Sequence, residues 1–367
     1  MNDPDAIAFR KDLPRLDVPR DDLIRFKKAM SELNKTAKKQ AKPDFCCICG
    51  DEMTSFCNSH TVPQYCLREI AVDGKLLTTA SVMGGNLINA EVGISEAATF
   101  KRVCKKCDTE YFKLYETPDA LRSEPTPQML GQIAAKNLLR EISKGRLELG
   151  LETALGDKVS TEYRTMMAVR SVDIKEDEKA LKEALRVGRK PRPSNAYHLV
   201  YYRLLPYVTP FAFQQMISPI ADFVGGVINN SYNPSVNYKM EPIHICVLPT
   251  KGATAVIVFR NKKAKRYREF ERQFGGLEEN DKLLALVKLI FAYSEDVLLS
   301  KLLPSSVLSN ESLKTLAKMN HNYFGFGNSI EEYKKAAYQS ALTDFSINNM
   351  PDPPNLLLER FSLCNLN

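Results

Sequence analysis

Two Cys-x-x-Cys pairs, Cys46/Cys49 and Cys104/Cys107, flank the segment Ser59-His60-Thr61-Val62-Pro63. Thiolates spaced this way suit a tetrahedral structural zinc, because each short turn aims two sulphurs at one ion. Gly50 follows the first pair and lets the backbone reverse so that its amides face the thiolates. Cys49 and Cys104 are 55 positions apart, so the chain between them must fold back before one ion can hold both pairs. His60 brings a different chemistry, since a positioned imidazole can take a proton from water. The bland alternatives are unconnected buried cysteines and a structural histidine. His60 could also replace one cysteine as a zinc ligand, although four thiolates already complete the tetrahedron.

The chain has nine cysteines. An odd count with two complete pairs favours metal binding in a reducing compartment over a disulfide framework. Cys47, Cys57, Cys66, Cys246 and Cys364 read as small buried apolar residues. The start is acidic and lacks a secretory core, and no apolar run is long enough to span a bilayer. A cytoplasmic protein without membrane contact is expected. The net charge is +7, yet residues 1–120 balance at 18 basic against 18 acidic side chains. The excess therefore lies outside the cysteine region, and it permits nucleic-acid binding without implying it.

The elements that must position these residues follow from periodicity. Leu23, Phe26, Met30, Leu33 and Ala37 form an amphipathic stripe opposite a lysine-rich face, ended by Pro43, so residues 1–42 read as a basic helical arm. Asp73-Gly74 marks a hairpin between Leu67–Val72 and Lys75–Thr79. Gly84, Gly85, Asn86 and Gly93 mark a loop, and Asp108–Glu116 a helix. Residues 118–194 read as helical, closing on a basic linker at Arg189–Ser194. In 195–367, Ile243–Leu248 and Ala253–Phe259 form a hairpin, Lys282–Leu303 one long buried helix, and Ser329-Ile-Glu-Glu332 a capping box. The expected fold class is α+β, with a zinc domain over 43–117, a helical connection and a larger α+β C-terminal domain.

At the motif level, residues 46–116 resemble the HNH nucleases, the ββα-metal family of treble-clef zinc folds. Members carry Cys-x-x-Cys, Asp-His-Ile-x-Pro, a glycine loop, then Asn-Leu-x-x-Leu-Cys-x-x-Cys-His. The corresponding pieces here are Cys46-x-x-Cys49, Ser59-His60-Thr61-Val62-Pro63, Gly84-Gly85 and Thr99-Phe-Lys-Arg-Val103-Cys104-x-x-Cys107-Asp108. Ser59 replaces the usual Asp, Thr99 the Asn, and Asp108 the final His.

The resemblance implies a metal-dependent endonuclease cutting phosphodiester bonds in DNA, less readily RNA, in a phage-defence or mobile-element setting. His60 would be the general base, and Asp108 would hold a catalytic Mg2+ or Mn2+, with Asp73 or Glu116 as further oxygen ligands. Lys101, Arg102, Lys105 and Lys106 around the second pair would meet the phosphate backbone. The C-terminal domain would recognise a substrate, a partner protein or a second copy of the chain. The rival reading is a non-catalytic zinc module for nucleic-acid or protein contact, with Asp108 as a helix N-cap. The basic run Arg260–Arg268 is read equally as nucleic-acid contact and as a solvated face. Gly325-Phe-Gly327 lacks the Gly-Lys-Ser/Thr of a phosphate loop. His198, His244 and His321 are isolated and read as structural.

Overall fold

The computed structural model describes residues 20–79, 91–156, 159–189, 196–230, 233, 235, 237–319 and 330–366. The Pro4–Pro19 segment, the Gly84-Gly85-Asn86 loop, Lys190–Ser194 of the linker, His321, Gly325–Gly327 and Ser329 lie outside them.

The chain opens with α1 (Arg20–Gln40), as its apolar stripe predicts. The zinc region contributes β1 (Ser59–His60), α2 (Gln64–Ile70), β2 (Lys75–Thr78), β3 (Glu91–Gly93), β4 (Thr99–Phe100) and α3 (Lys105–Tyr111). A helical hairpin follows, α4 (Pro127–Leu155) and α5 (Thr161–Gly188). Each helix starts on a hydroxyl cap: Thr126 accepts from the Met129 amide and Ser160 from the Tyr163 amide, satisfying donors that the first turn leaves open.

Strands β5 (Tyr197–Leu205), β6 (Phe211–Ile217), β7 (Ile243–Thr250) and β8 (Ala253–Asn261) come next. Helices α6 (Arg268–Gly275) and α7 (Glu279–Tyr293), strand β9 (Leu298–Leu299) and helices α8 (Ser305–Leu308), α9 (Glu311–Met319), α10 (Ile330–Asp344) and α11 (Leu363–Leu366) complete the described elements.

Seven strands form one antiparallel sheet in the order β3-β2-β9-β6-β7-β8-β5. Its central strands are covered on both faces, so they read as unbroken apolar runs rather than alternating ones. Phe211, Phe213, Ile245 and Val258 pack with α6, α7 and α9 on one side. Ala212, Cys246, Ile257 and Phe259 pack with α2, α4 and α5 on the other. Two strands of the 43–117 segment, β2 and β3, thus belong to the same sheet as strands from 195–367.

The Asp73-Gly74 turn forms, with both residues at positive φ. Its upstream arm is helical rather than extended, because Pro63 starts α2 and Cys66, Leu67 and Ile70 bury one helix face. The expected single helix over Lys282–Leu303 is also corrected. It stops at Tyr293, and Ser294 takes an extended conformation. The Ser294 hydroxyl donates to Gln215 and accepts from the Asp296 amide, turning the chain back as β9. The aromatic stretch after Tyr197 resolves into β5 and β6. The helix expected at Asp108–Glu116 begins three residues earlier and ends at Tyr111.

At Gly150 in α4, a Cβ would lie 2.6 Å from the Ala37 carbonyl oxygen of α1. Only glycine allows the two helices to approach this closely.

Candidate metal centre and the charged cluster beside it

The first knuckle is closed by its own backbone. Cys46 donates its amide to Asp51 O at 2.9 Å, and Gly50 donates to Cys46 O at 2.8 Å. Gly50 has φ +80 and open space around its Cβ direction, so the turn requires glycine for its dihedral and not for room. The second knuckle is a helix start. Cys104 is the N-cap of α3, and its sulphur accepts from the Cys107 amide at 3.4 Å. The Cys104 amide donates in turn to Cys46 Sγ at 3.3 Å.

The four sulphurs of Cys46, Cys49, Cys104 and Cys107 lie within 4.8 Å of one another. A tetrahedron with bonds of about 2.3 Å has sulphur–sulphur edges of roughly 3.8 Å. The set therefore fits a zinc ion after only small adjustment. At Cys46, burial raises the thiol pKa, but amides of Cys49, Cys104 and Ile48 outweigh it and bring the value down to about 7. That favours the thiolate a metal requires. Of the remaining cysteines, Cys66 and Cys246 are buried and Cys47 and Cys57 partly so, whereas Cys364 is exposed, contrary to expectation.

Strand β1 pairs with β4 in the register Ser59↔Phe100 and His60↔Thr99. Successive strand residues point to opposite faces, and these two diverge accordingly. The buried Ser59 hydroxyl donates to Asp108 Oδ1. His60 Nε2 lies 2.8 Å from Ile94 O. A carbonyl can only accept, so this bond fixes the Nε2–H tautomer and leaves the Nδ1 lone pair as the basic site. Burial holds the His60 pKa below its ordinary value, only partly offset by the Ile94 bond, with smaller contributions from Lys136 and Asp108. His60 and Asp108 thus sense each other electrostatically while each is bonded elsewhere.

Asp108 lies in the first turn of α3 but does not cap it, since Cys104 does. Its second partner is Lys136 of α4, whose Nζ is 3.5 Å from Asp108 Oδ1. The same ammonium is ion-paired with Glu116 and lies 4.2 Å from the centre of the Phe112 ring. Lys136 is only 1% exposed, while Asp108 and Glu116 retain 25% and 23% of their side-chain exposure. Burial raises the Glu116 pKa against the pull of Lys136. Burial, and then the Asp108 charge, push the Cys57 thiol up to about 12, which leaves it an inert neutral thiol.

Lys101, Lys105 and Lys106 are exposed. Arg102 corrects the expectation of a phosphate contact. It is 6% exposed, and its guanidinium donates to Ala41 O at 3.0 Å. It pins the end of α1 to the second knuckle. Thr99 contributes its carbonyl, which accepts from Arg140 of α4 at 2.7 Å, while Arg140 also pairs with Asp296. In the Arg260–Arg268 run, Arg260 pairs with Glu271, and Arg266 bonds Asn229, Tyr238 and Lys239 O. That run is largely consumed internally.

The cluster contains one residue that sequence reasoning missed, Lys136. Its signal was present: a single lysine inside Gly131-Gln-Ile-Ala-Ala-Lys-Asn-Leu-Leu139 must find a counter-charge once that helix is buried. Glu116, an unplaced candidate in the sequence, is brought to Asp108 through it. Asp73 sits at the hairpin turn instead.

Compared with known proteins, the chain matches no family model, no curated protein and no solved structure. No helix among the described residues is long and apolar enough to cross a membrane.

Proposed function

We propose that the chain is a zinc-stabilised, metal-dependent nuclease of HNH type acting on DNA. The observation that carries this reading is the convergence of two carboxylates, Asp108 and Glu116, on one buried cation beside Ser59 and His60. Sequence reasoning supplied only one firm carboxylate ligand. The pair now offers the oxygen donors that Mg2+ or Mn2+ prefers, at a place where a positive charge is already held. The fit rests on this donor set, and the open coordination sites would fall to water and substrate phosphate. A bound divalent ion would neutralise charge on the leaving oxygen.

The chain's own groups cover the remaining tasks. His60, held neutral with its Nδ1 lone pair available, takes a proton from the attacking water. Ser59 orients the Asp108 carboxylate. The Cys46/Cys49/Cys104/Cys107 zinc fixes β1 and α3 relative to each other, so Ser59 and Asp108 keep their register. Lys101, Lys105 and Lys106 receive the phosphate backbone without selecting a sequence.

One observation favours a second reading. Lys136 already sits between the carboxylates, and if it is a permanent counter-ion the module binds nucleic acid or protein without cutting. The deciding experiment incubates the full chain with supercoiled plasmid, single-stranded DNA and RNA in Mg2+ and Mn2+, beside His60→Ala and Glu116→Gln. Nicking of plasmid that falls about a hundredfold or more in His60→Ala is expected. Binding without cleavage in either metal would leave the non-catalytic module standing.

A further inference from the structure

Resting on the metal-site reading above, we infer that Lys136 regulates that site as its resting occupant. The ammonium and a divalent cation compete for Asp108 and Glu116, so the centre is self-neutralised until a metal ion displaces the lysine.

Three observations carry this. Lys136 is almost fully buried, yet it bridges two carboxylates that are each about a quarter exposed. Entry from solvent is therefore open on the anionic side and closed on the cationic side. Both carboxylates reach the same Nζ, and an ion ligated by them would fall within a few ångströms of that ammonium, where like charges repel strongly. The helix carrying Lys136 is also fixed on both sides. Asn137 bonds Gln214 and His244 of the sheet, and Arg140 bonds Thr99 O and Asp296. Exchange must come from rotation of the Lys136 side chain, whose ammonium leaves the carboxylates while α4 stays in place.

The charge count agrees. Two carboxylates and one ammonium leave a net single negative charge, which attracts a divalent ion. Adding the ion without moving the lysine would give three positive charges against two negative ones. Displacement removes that excess.

The test is Mn2+ binding to the zinc-loaded full chain, read from the loss of the free Mn2+ EPR signal, for wild type, Lys136→Gln and Asp108→Asn. Lys136→Gln should bind Mn2+ about tenfold more tightly or better, because one competing charge is gone. Asp108→Asn should bind it more weakly than wild type. Equal affinity in wild type and Lys136→Gln, with loss in Asp108→Asn, would overturn the competition and leave the metal site intact. No Mn2+ binding by any of the three would overturn the metal site itself, and the competition with it.

Zinc content and the melting profile report whether Lys136→Gln is folded. A measurement without a disabling substitution runs in parallel. In protein labelled with 15N-lysine, the Lys136 Nζ resonance, assigned through Lys136→Arg, should shift as Mg2+ saturates the site. An unmoved resonance under saturating Mg2+ would sink the inference.

Discussion

The backbone amide of Cys104 donates to the sulphur of Cys46 across 3.3 Å. The two knuckles are therefore in contact through protein groups as well as through any shared ion. The helix that begins at Cys104 also carries Asp108, so zinc and the carboxylate cluster are mechanically linked.

Purified protein is expected to contain one zinc per chain, and Cys104→Ser should lose it. Zinc binding in small modules is worth about 10–16 kcal/mol of apparent folding free energy. Cys104→Ser should therefore unfold the region around β1 and α3 rather than merely loosen it. Elemental analysis with amide NMR checks this, and a zinc-free chain with well-dispersed signals from Cys46 to Tyr111 would refute it.

Arg102 and its basic neighbours should separate cleanly. Arg102→Ala removes a buried donor from Ala41 O and should cost about 1–3 kcal/mol in stability. The triple change of Lys101, Lys105 and Lys106 to Ala should leave urea midpoints unchanged. It should instead flatten the salt dependence of DNA binding by roughly 0.9 for each phosphate no longer neutralised. An Arg102→Ala variant of full stability, or an unaltered salt slope in the triple variant, contradicts these placements.

Two buried groups impose opposite pH slopes on stability. His244 is stacked on Phe259 with ring centres 4.5 Å apart, and its Nδ1 accepts from Asn137 at 3.1 Å. Burial lowers its pKa to about 3. Between its unfolded value of about 6.5 and that point, the unfolded chain holds an extra proton. Stability is thus lost as pH falls, at about 1.4 kcal/mol per pH unit. At Asp177, burial and then repulsion from Glu141 raise the pKa to about 7. Its contribution is present at low pH and is lost as pH rises toward 7. Urea midpoints from pH 4 to 6.5 should fall less on acidification in His244→Gln than in wild type, and more in Asp177→Asn. Parallel curves for all three proteins would show that neither group is shifted as described.

Gly150→Ala should destabilise, although alanine is normally better than glycine in a helix by about 1 kcal/mol. The added methyl would meet Ala37 O at 2.6 Å and force α1 away from α4, an overpacking cost of about 1–3 kcal/mol. A raised melting temperature for this variant would show that α1 is not seated there.

Residue type and spacing alone revealed the metal ligands, because Cys-x-x-Cys records a local turn that geometry dictates. The β7–β8 hairpin and α1 were equally legible from local pattern. What stayed hidden depends on packing between distant segments. Arg102 looks like its neighbours Lys101 and Lys105 in sequence, and only the end of α1 decides that it points inward. Lys136 carried a warning in its apolar surroundings, but nothing nearby named Asp108 and Glu116 as its partners. The break after Tyr293 escaped detection because Ser294 leaves the helix to bond Gln215, a residue of another strand. Ser59 and His60 are adjacent in sequence, and their divergence to opposite partners appears only once β1 is paired.

Strand β2 lies between β3 and β9, with Leu77 opposite Leu299, and the neighbouring Thr79 hydroxyl donates to Glu295 O, 216 positions away. During synthesis the zinc region emerges long before the strand that completes its edge. A nascent or truncated chain ending near residue 194 would carry β2 with one side of its backbone unpaired, a template for association with other chains. Fragments cut at that boundary are expected to aggregate or recruit a chaperone. Coexpression of 1–194 with 195–367 should restore solubility by supplying β9 in trans.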